Sequence, residues 1–246
     1  MPTYSPVTLG AVAVTPEVIP ENTIRVLDHG FVRLDDAMAS DLSVVNGARV
    51  SFARHKTEMD DSDAGLIRFL MREKHASPFE HAVFRFHVRS PIFVAREWMR
   101  HRWSSFNEFS LRYAKASEDF YVPEADDVRT QVGKPGAYSF EPVDPDVAEQ
   151  TREELQSVYE TAFAAYERLV DLGVARELAR AALPVGAYTE FYWTVNARSL
   201  MNFLSLRAAE AAQREIRRYA EAYEGFFAER MPVTHEAFVA SGRVAP

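Results

Sequence analysis

Arginine is concentrated in one short stretch of this chain. Residues 96–115, REWMRHRWSSFNEFSLRYAK, hold Arg96, Arg100, Arg102, Arg112 and Lys115 against Glu97 and Glu108. The whole chain runs the other way, with 36 Asp and Glu against 28 Lys and Arg and a formal net charge of -8 at pH 7. A cationic island in an acidic protein points to a small anionic ligand. It points away from a nucleic acid polymer or an anionic membrane surface, whose binders are usually basic. Guanidinium groups suit phosphate because their parallel N–H donors match two oxygens. Trp98, Trp103 and Phe106 lie among these cations.

Spacing sharpens the reading. If the segment is helical to about Arg102, Arg96 and Arg100 share one face, and Glu97 and His101 form the adjacent pair at the same i, i+4 spacing. Glu108, Ser110 and Arg112 then recur at period two. An extended segment turns them one way and Phe109, Leu111 and Tyr113 the other. A solvated helix face followed by a loop is the alternative account. A second set lies in TVNARSLMNFLSLR, residues 194–207. Leu200, Met201, Phe203, Leu204 and Leu206 ring a helix opening near Asn196, so that helix is expected to be buried. It nonetheless carries Arg198, Asn202 and Arg207, and a buried arginine is costly without an acceptor. Arg198 and Asn202 share a face while Arg207 points roughly opposite. The helix could thus serve two ligands, one ligand and a subunit boundary, or internal salt bridges to Glu190 or Glu210.

Several chemistries are excluded. With Cys 0, these residues offer no thiolate nucleophile, no Cys-ligated zinc and no iron–sulfur cluster. His75, His81 and His87 are spaced by six residues and do not converge, so no metal site is expected. Neither a Walker loop, nor G-x-G-x-x-G, nor a G-x-S-x-G elbow occurs. Ser110 has only Glu108 and His101 as nearby candidate bases, so ligand hydrogen bonding is its favoured role. The first residues lack a basic start and an apolar run, and no stretch approaches the ~18 apolar residues of a membrane span. A soluble, cytoplasmic protein is expected.

The positioning elements follow from pattern. At 246 residues, 47% hydrophobic and 26% charged, the chain suits a single α+β domain. Residues 1–22 read as a proline-bearing extended arm, 23–240 as the domain and 241–246 as a tail. Two short strands are expected over 23–34 around His29-Gly30. A helix capped by Asp41 follows, with Leu42, Val45 and Ala48 inward, then a loop over 54–63 and a helix over 63–74. Phe84, Phe86 and Val88 alternate with Arg85, His87 and Arg89 in a strand over 81–89. Ser90-Pro91 reads as a helix start. Residues 123–146 read as a long proline-rich surface loop, 146–172 as a helix, and 174–184 as a short one. A strand over 188–195 leads into one long helix from Asn196 to about Arg230.

Arg100-His101-Arg102, seven residues, then Ser110, within RHRWSSFNEFSLRY, resembles the signature of the flavin-dependent thymidylate synthases (the ThyX family). Three further segments agree: ARVSF (48–52), HASPFEH (75–81) and TVNARSLMNFLSLR (194–207). The resemblance covers roughly residues 24–240 and is weakest in the proline-rich loop. It implies an α+β homotetramer with active sites shared between subunits and tightly bound FAD. It also implies NAD(P)H as reductant, methylenetetrahydrofolate as one-carbon donor, and reductive methylation of dUMP to dTMP.

By the same resemblance, Glu97 and Arg100 contact dUMP from one subunit. Glu108, Ser110 and Arg112 approach it from another, with Ser110 and Arg112 near the phosphate. Arg180 and Arg207 complete the site, and Arg207, the catalytic group, favours ionised N3 of the uracil. Flavin contacts fall on Ser51, Ser77, Glu80, Arg100, His101, Arg102, Glu108, Asn196, Arg198 and Asn202. His75 is expected beside the flavin ring, against folate. Two positions depart from the pattern. Ala211 stands where relatives often carry His, and Trp103 where a smaller aliphatic residue can occur. Two rivals share the arginines: a flavin NAD(P)H oxidoreductase without methyl transfer, and an RNA- or nucleotide-binding module.

Overall fold

The chain is described by a computed structural model over residues 21–134 and 137–246. All but the last two residues of the expected N-terminal arm lie outside the described residues. The strands are β1 (Thr23–Val26), β2 (Gly30–Met38), β3 (Val83–Pro91), β4 (Ser104–Glu108), β5 (Arg129–Lys134), β6 (Ala137–Pro142) and β7 (Tyr188–Asn196). Five of them form one antiparallel sheet in the order β1-β2-β3-β7-β4, and β5 and β6 form a separate hairpin. The helices are α1 (Asp41–Arg49), α2 (Asp61–Arg72), α3 (Ile92–Trp98), α4 (Pro145–Asp171), α5 (Arg176–Ala179), α6 (Ala197–Arg207), α7 (Arg214–Arg230) and α8 (Pro232–Ala240). The α+β expectation holds.

Period-two patterning decides which face of the sheet is covered. Phe84, Phe86 and Val88 of β3 and Phe191, Trp193 and Val195 of β7 are buried, while Arg85 and Tyr192 are exposed. The covering layer is α7, whose Tyr223 ring stands 4.6 Å from Phe86 and 4.9 Å from Trp193. Trp98 at the end of α3 stacks on Phe203 of α6 at 5.8 Å. Helices α3, α6 and α7 are thereby joined through aromatic rings, with edge-to-face contacts that favour fixed ring geometry. A second core under α4 gathers Phe120, Tyr159, Phe163 and Tyr166.

Local chemistry moves several expected boundaries. Ser40, not Asp41, caps α1, its Oγ accepting from Ser43 N at 3.2 Å. Asp41 is instead buried against the start of α8, accepting from Val233 N at 2.9 Å and Thr234 N at 2.8 Å. Helix α2 begins inside the expected 54–63 loop, because Asp60 and Asp63 form a capping box. Ser90-Pro91 does not start a helix. Both residues still pair with β7, opposite Thr189 and Tyr188, and the helix follows them without a side-chain cap. That helix ends at Trp98 and not near Arg102, since the chain must turn to let Ser104 enter the sheet. The expected 123–146 loop contains the β5–β6 hairpin. The expected 174–184 helix is reduced to α5 and a 3-10 turn, Arg180–Ala182. The single helix expected from Asn196 to Arg230 breaks after Arg207 and resumes at Arg214.

Gly30 shows how tightly α7 seats on the sheet. A Cβ there would stand 2.0 Å from Tyr219 Oη and 2.5 Å from the Val26 carbonyl. Gly30→Ala is expected to cost about 3 kcal/mol, the upper range for overpacking, measured by denaturant unfolding. Unchanged stability would mean that β2 and α7 do not approach this closely.

Candidate active site

The functional side chains are distributed along β4 and the elements at its two ends. β4 pairs with β7 from Ser104↔Val195 to Glu108↔Phe191. β7 ends at Asn196, near which a helix is expected to open, and Asn196 caps α6: its Oδ1 accepts from Ser199 N at 2.9 Å. The start of β4 therefore lies beside the first turn of α6. A cavity of about 260 Å³ opens there, lined by His101, Trp103, Ser104, Arg198, Ser199 and Asn202. Ala245 and Pro246 close one side. Arg198 donates from Nε to the Pro246 carbonyl at 3.1 Å and from Nη1 to Glu80 Oε1 at 3.4 Å. Glu80 and Ser77 belong to the 3-10 turn Ser77–His81, Ser51 to the exposed turn Val50–Phe52, and His75 is exposed with its ring edge-on to Phe69 at 5.6 Å.

Arg207 ends α6 on a different face, as its spacing suggests. It donates from Nη1 to Glu97 Oε2 at 2.7 Å, from Nη2 to the Glu97 carbonyl at 3.3 Å, and from Nε to His101 Nε2 at 3.1 Å. Its partner is thus neither Glu190 nor Glu210. Glu190 pairs with His87 and Arg89. Burial, with the Arg207 and Arg100 cations in support, pushes His101 down to about 4. It is therefore a neutral imidazole that accepts at Nε2. Burial also raises the Glu97 carboxyl, against the pull of Arg207. His101 is shared between this group and the cavity. Arg100 and Arg102 are exposed in the turn after α3 and form no ion pair among the described residues.

The far end of β4 holds the other set. Glu108 Oε1 accepts from Thr189 Oγ1 at 2.8 Å. The expected extended run over 108–112 is not formed. The strand stops at Glu108 and the chain turns, with Tyr113 N and Ala114 N both donating to the Ser110 carbonyl. Ser110 Oγ accepts from Arg112 N at 3.4 Å. Neither Glu108, held by Thr189, nor His101, held by Arg207, is bonded to Ser110. Arg112 Nε reaches Glu177 Oε2 at 3.0 Å, Arg180 Nε reaches the Glu177 carbonyl at 3.3 Å, and Arg176 donates to the Tyr113 carbonyl at 2.7 Å. The turn and α5 thus collect Arg112 and Arg180 around one carboxylate-bearing residue. At ~3.4 Å per residue, the two ends of β4 are roughly 14 Å apart.

Sequence reasoning did not single out Ser104, Ser199, Thr189, Arg176 or Glu177. Ser199 could have been found from its place in the first turn of the Asn196-capped helix. Glu177 and Arg176 carry no signal before the fold brings α5 to the Ser110 turn. Among the described residues, no cluster of His, Asp and Glu could hold a metal, and no helix is long and apolar enough to cross a membrane. Ala211 is exposed in the break between α6 and α7.

The structure is an antiparallel α+β scaffold with guanidinium groups and aromatic rings at both ends of one edge strand. Comparison with known proteins gives the family. The model of the family described as thymidylate synthase complementing protein (Thy1) matches residues 33–233. A flavin-dependent thymidylate synthase of Thermotoga neapolitana is 48% identical over 217 residues, 88% of this chain and 94% of that one. One from Thermosipho africanus is 46% identical over 215 residues, 87% of this chain and 93% of that one. Among solved structures, a UMP/dUMP methylase, PolB of Streptomyces cacaoi bound with 5-Br UMP, superposes with a TM-score of 0.83 at 47% identity. It covers 91% of this chain and 99% of that one. The chain belongs to the flavin-dependent thymidylate synthase family.

His101 is expected to titrate near about 4 when followed by NMR of its ring. Arg207→Met should raise that midpoint, because a cation that disfavours the imidazolium is gone. A parent midpoint at the ordinary histidine value would refute the assigned geometry.

Proposed function

We propose that this chain catalyses the reductive methylation of dUMP to dTMP, with FAD, NAD(P)H as reductant and methylenetetrahydrofolate as one-carbon donor. The observation that carries this reading is near-full-length identity of 46–48% to flavin-dependent thymidylate synthases, coupled to Arg207 held by Glu97 and His101 at the end of α6. The donor set fits an anionic dinucleotide: Arg198, Ser199, Asn202 and His101 offer hydrogen bonds beside the exposed face of Trp103. When bound, the flavin supplies the hydride that the methylation consumes. The rest is done by this chain's side chains.

With no cysteine in the sequence, a thiolate cannot add to carbon 6 of the uracil. Activation is instead electrostatic. The Arg207 guanidinium at the N3/O2 edge stabilises negative charge on the pyrimidine in a half-shielded site, where it acts more strongly than in water. Ser110, Arg112 and Arg180 bind the phosphate, with Arg112 exchanging Glu177 for phosphate oxygens. Glu108 and Arg100 border the nucleotide. Ser51, Ser77, Glu80, Arg102 and Asn196 border the flavin, with His75 at its ring. The separation of roughly 14 Å between the two groups along β4 supports a site completed between copies, and hence a homotetramer whose active sites are shared between subunits. A cytoplasmic location fits this nucleotide chemistry. Methyl transfer is favoured over the plain flavin oxidoreductase by the methylase activity of the structural neighbour. That neighbour is called a UMP/dUMP methylase, so UMP is the second substrate to offer.

The test is a flavin spectrum of the purified protein and a dTMP assay with and without methylenetetrahydrofolate. Flavin-dependent NAD(P)H oxidation with no dTMP would establish the oxidoreductase instead. Arg207→Ala should lower kcat/KM by about 10²–10³, the usual loss for one charge-stabilising donor, with flavin still bound. Mixing Arg207→Ala with Arg112→Ala subunits should restore part of the activity. No recovery in mixed oligomers would overturn the shared site.

A further inference from the structure

Of the groups brought together at the base end of the site, Glu97 is the one whose contacts look inward. Its Oε2 takes the Arg207 Nη1 proton at 2.7 Å, and its own main-chain carbonyl takes one from Nη2 at 3.3 Å. Arg207 Nε is thereby aimed at His101 Nε2, 3.1 Å away. Three of the five guanidinium N–H donors are spent within the chain. One remains on each terminal nitrogen, free to meet a polar edge of a ligand. Glu97 and Arg207 are both largely shielded, at 23% and 20% side-chain exposure. Their geometry is therefore held against solvent exchange more firmly than that of an exposed pair such as Arg112 and Glu177, at 53% and 56%.

We propose that Glu97 is a positioning residue, which clamps the Arg207 guanidinium so that two N–H donors face the pyrimidine while the third fixes His101 as the neutral Nδ1–H tautomer. This rests on the thymidylate synthase reading of the site. It gives Glu97 a task in addition to bordering dUMP, and it makes Glu97, Arg207 and His101 one mechanical unit. The clamp follows from the hydrogen bonds. Without Oε2, only the main-chain carbonyl and His101 restrain Arg207, and a long side chain so released samples several rotamers. The charges that face Glu97 are Arg207 and Arg100, with Glu215 of α7 adding repulsion. Neutral His101 is held there by burial and by the same two arginines.

The test compares Glu97→Ala and Glu97→Gln in the flavin-loaded enzyme and in the protein without ligands. Glu97→Ala should lower kcat about a hundredfold, the scale of an ångström-sized misplacement of a catalytic group, a larger effect than the rise in KM from its lost contact with dUMP. Glu97→Gln, whose amide oxygen can still accept from Nη1, should recover most of that loss. In ligand-free protein, ¹⁵N NMR of the imidazole should report the Nδ1–H tautomer for the parent and Glu97→Gln, and a tautomer mixture for Glu97→Ala. A raised KM with kcat intact would make Glu97 a plain substrate contact and overturn the proposal. Equal losses in both variants would do the same, because charge and not clamping would then be the cause. Should the parent make no dTMP, the functional reading fails on its own. The tautomer comparison still decides the clamp, and an unchanged tautomer in Glu97→Ala overturns it.

Discussion

A guanidinium shielded from water must have an acceptor at every stage, with or without its ligand. That requirement organises the site of this protein more than any other interaction. Arg207, the most shielded, has Glu97 and His101; Arg198, partly shielded, has Glu80 and the Pro246 carbonyl; and even the exposed Arg112 is paired, with Glu177. Each acceptor comes from an element distant in sequence from its arginine. These pairs tie together elements that are far apart in the chain. In the proposed function the same cations meet the anionic ligands.

The sheet provides the frame for those pairs. β7 is hydrogen-bonded on both sides, to β3 and to the short edge strand β4. It delivers Thr189 at one end and Asn196 at the other. β4 thereby inherits two neighbourhoods, one under α6 and one beside α5. The aromatic rings of Trp98, Trp193, Phe203 and Tyr223 lock α3, α6 and α7 onto the opposite face. Movement of the α6 backbone at Arg207 relative to the end of α3 would require that packed layer to shift, and close-packed interiors resist such shifts.

Much of this was legible in the sequence, and the reasons are specific. The alternation of Phe84, Phe86 and Val88 with charged neighbours defined β3, because a half-covered sheet leaves a period-two trace. The opening of α6 near Asn196 was also legible, and the capping bond seen in the structure explains why the helix starts there. The split of Arg207 from Arg198 and Asn202 was visible in helical spacing alone. The extent of α3 was not, since a polar, helix-compatible run past Trp98 gives way to a β4 register imposed by β7. The Ser110 turn was misread for a related cause: period two in composition does not produce a strand where no partner strand continues beyond Glu108. The pairing of Arg112 with Glu177, which lies 65 residues away, and that of Arg207 with Glu97, which lies 110 away, depend on tertiary approach. No local pattern encodes them.

Asp41 has a consequence for how the molecule is assembled in time. It opens α1, yet its carboxylate is satisfied by Val233 and Thr234, 192 and 193 positions later. During synthesis from the N-terminus, that buried acid waits for nearly the whole chain to leave the ribosome. Until then the Asp41 carboxylate is held by water alone. Such a closing contact adds little entropy cost for its great length, because loop-closure cost grows only logarithmically, but it places the final seal of the first half in the hands of the last helix. A chain ending before Val233 would thus leave the Asp41 carboxylate to water and α1 without that tie to α8.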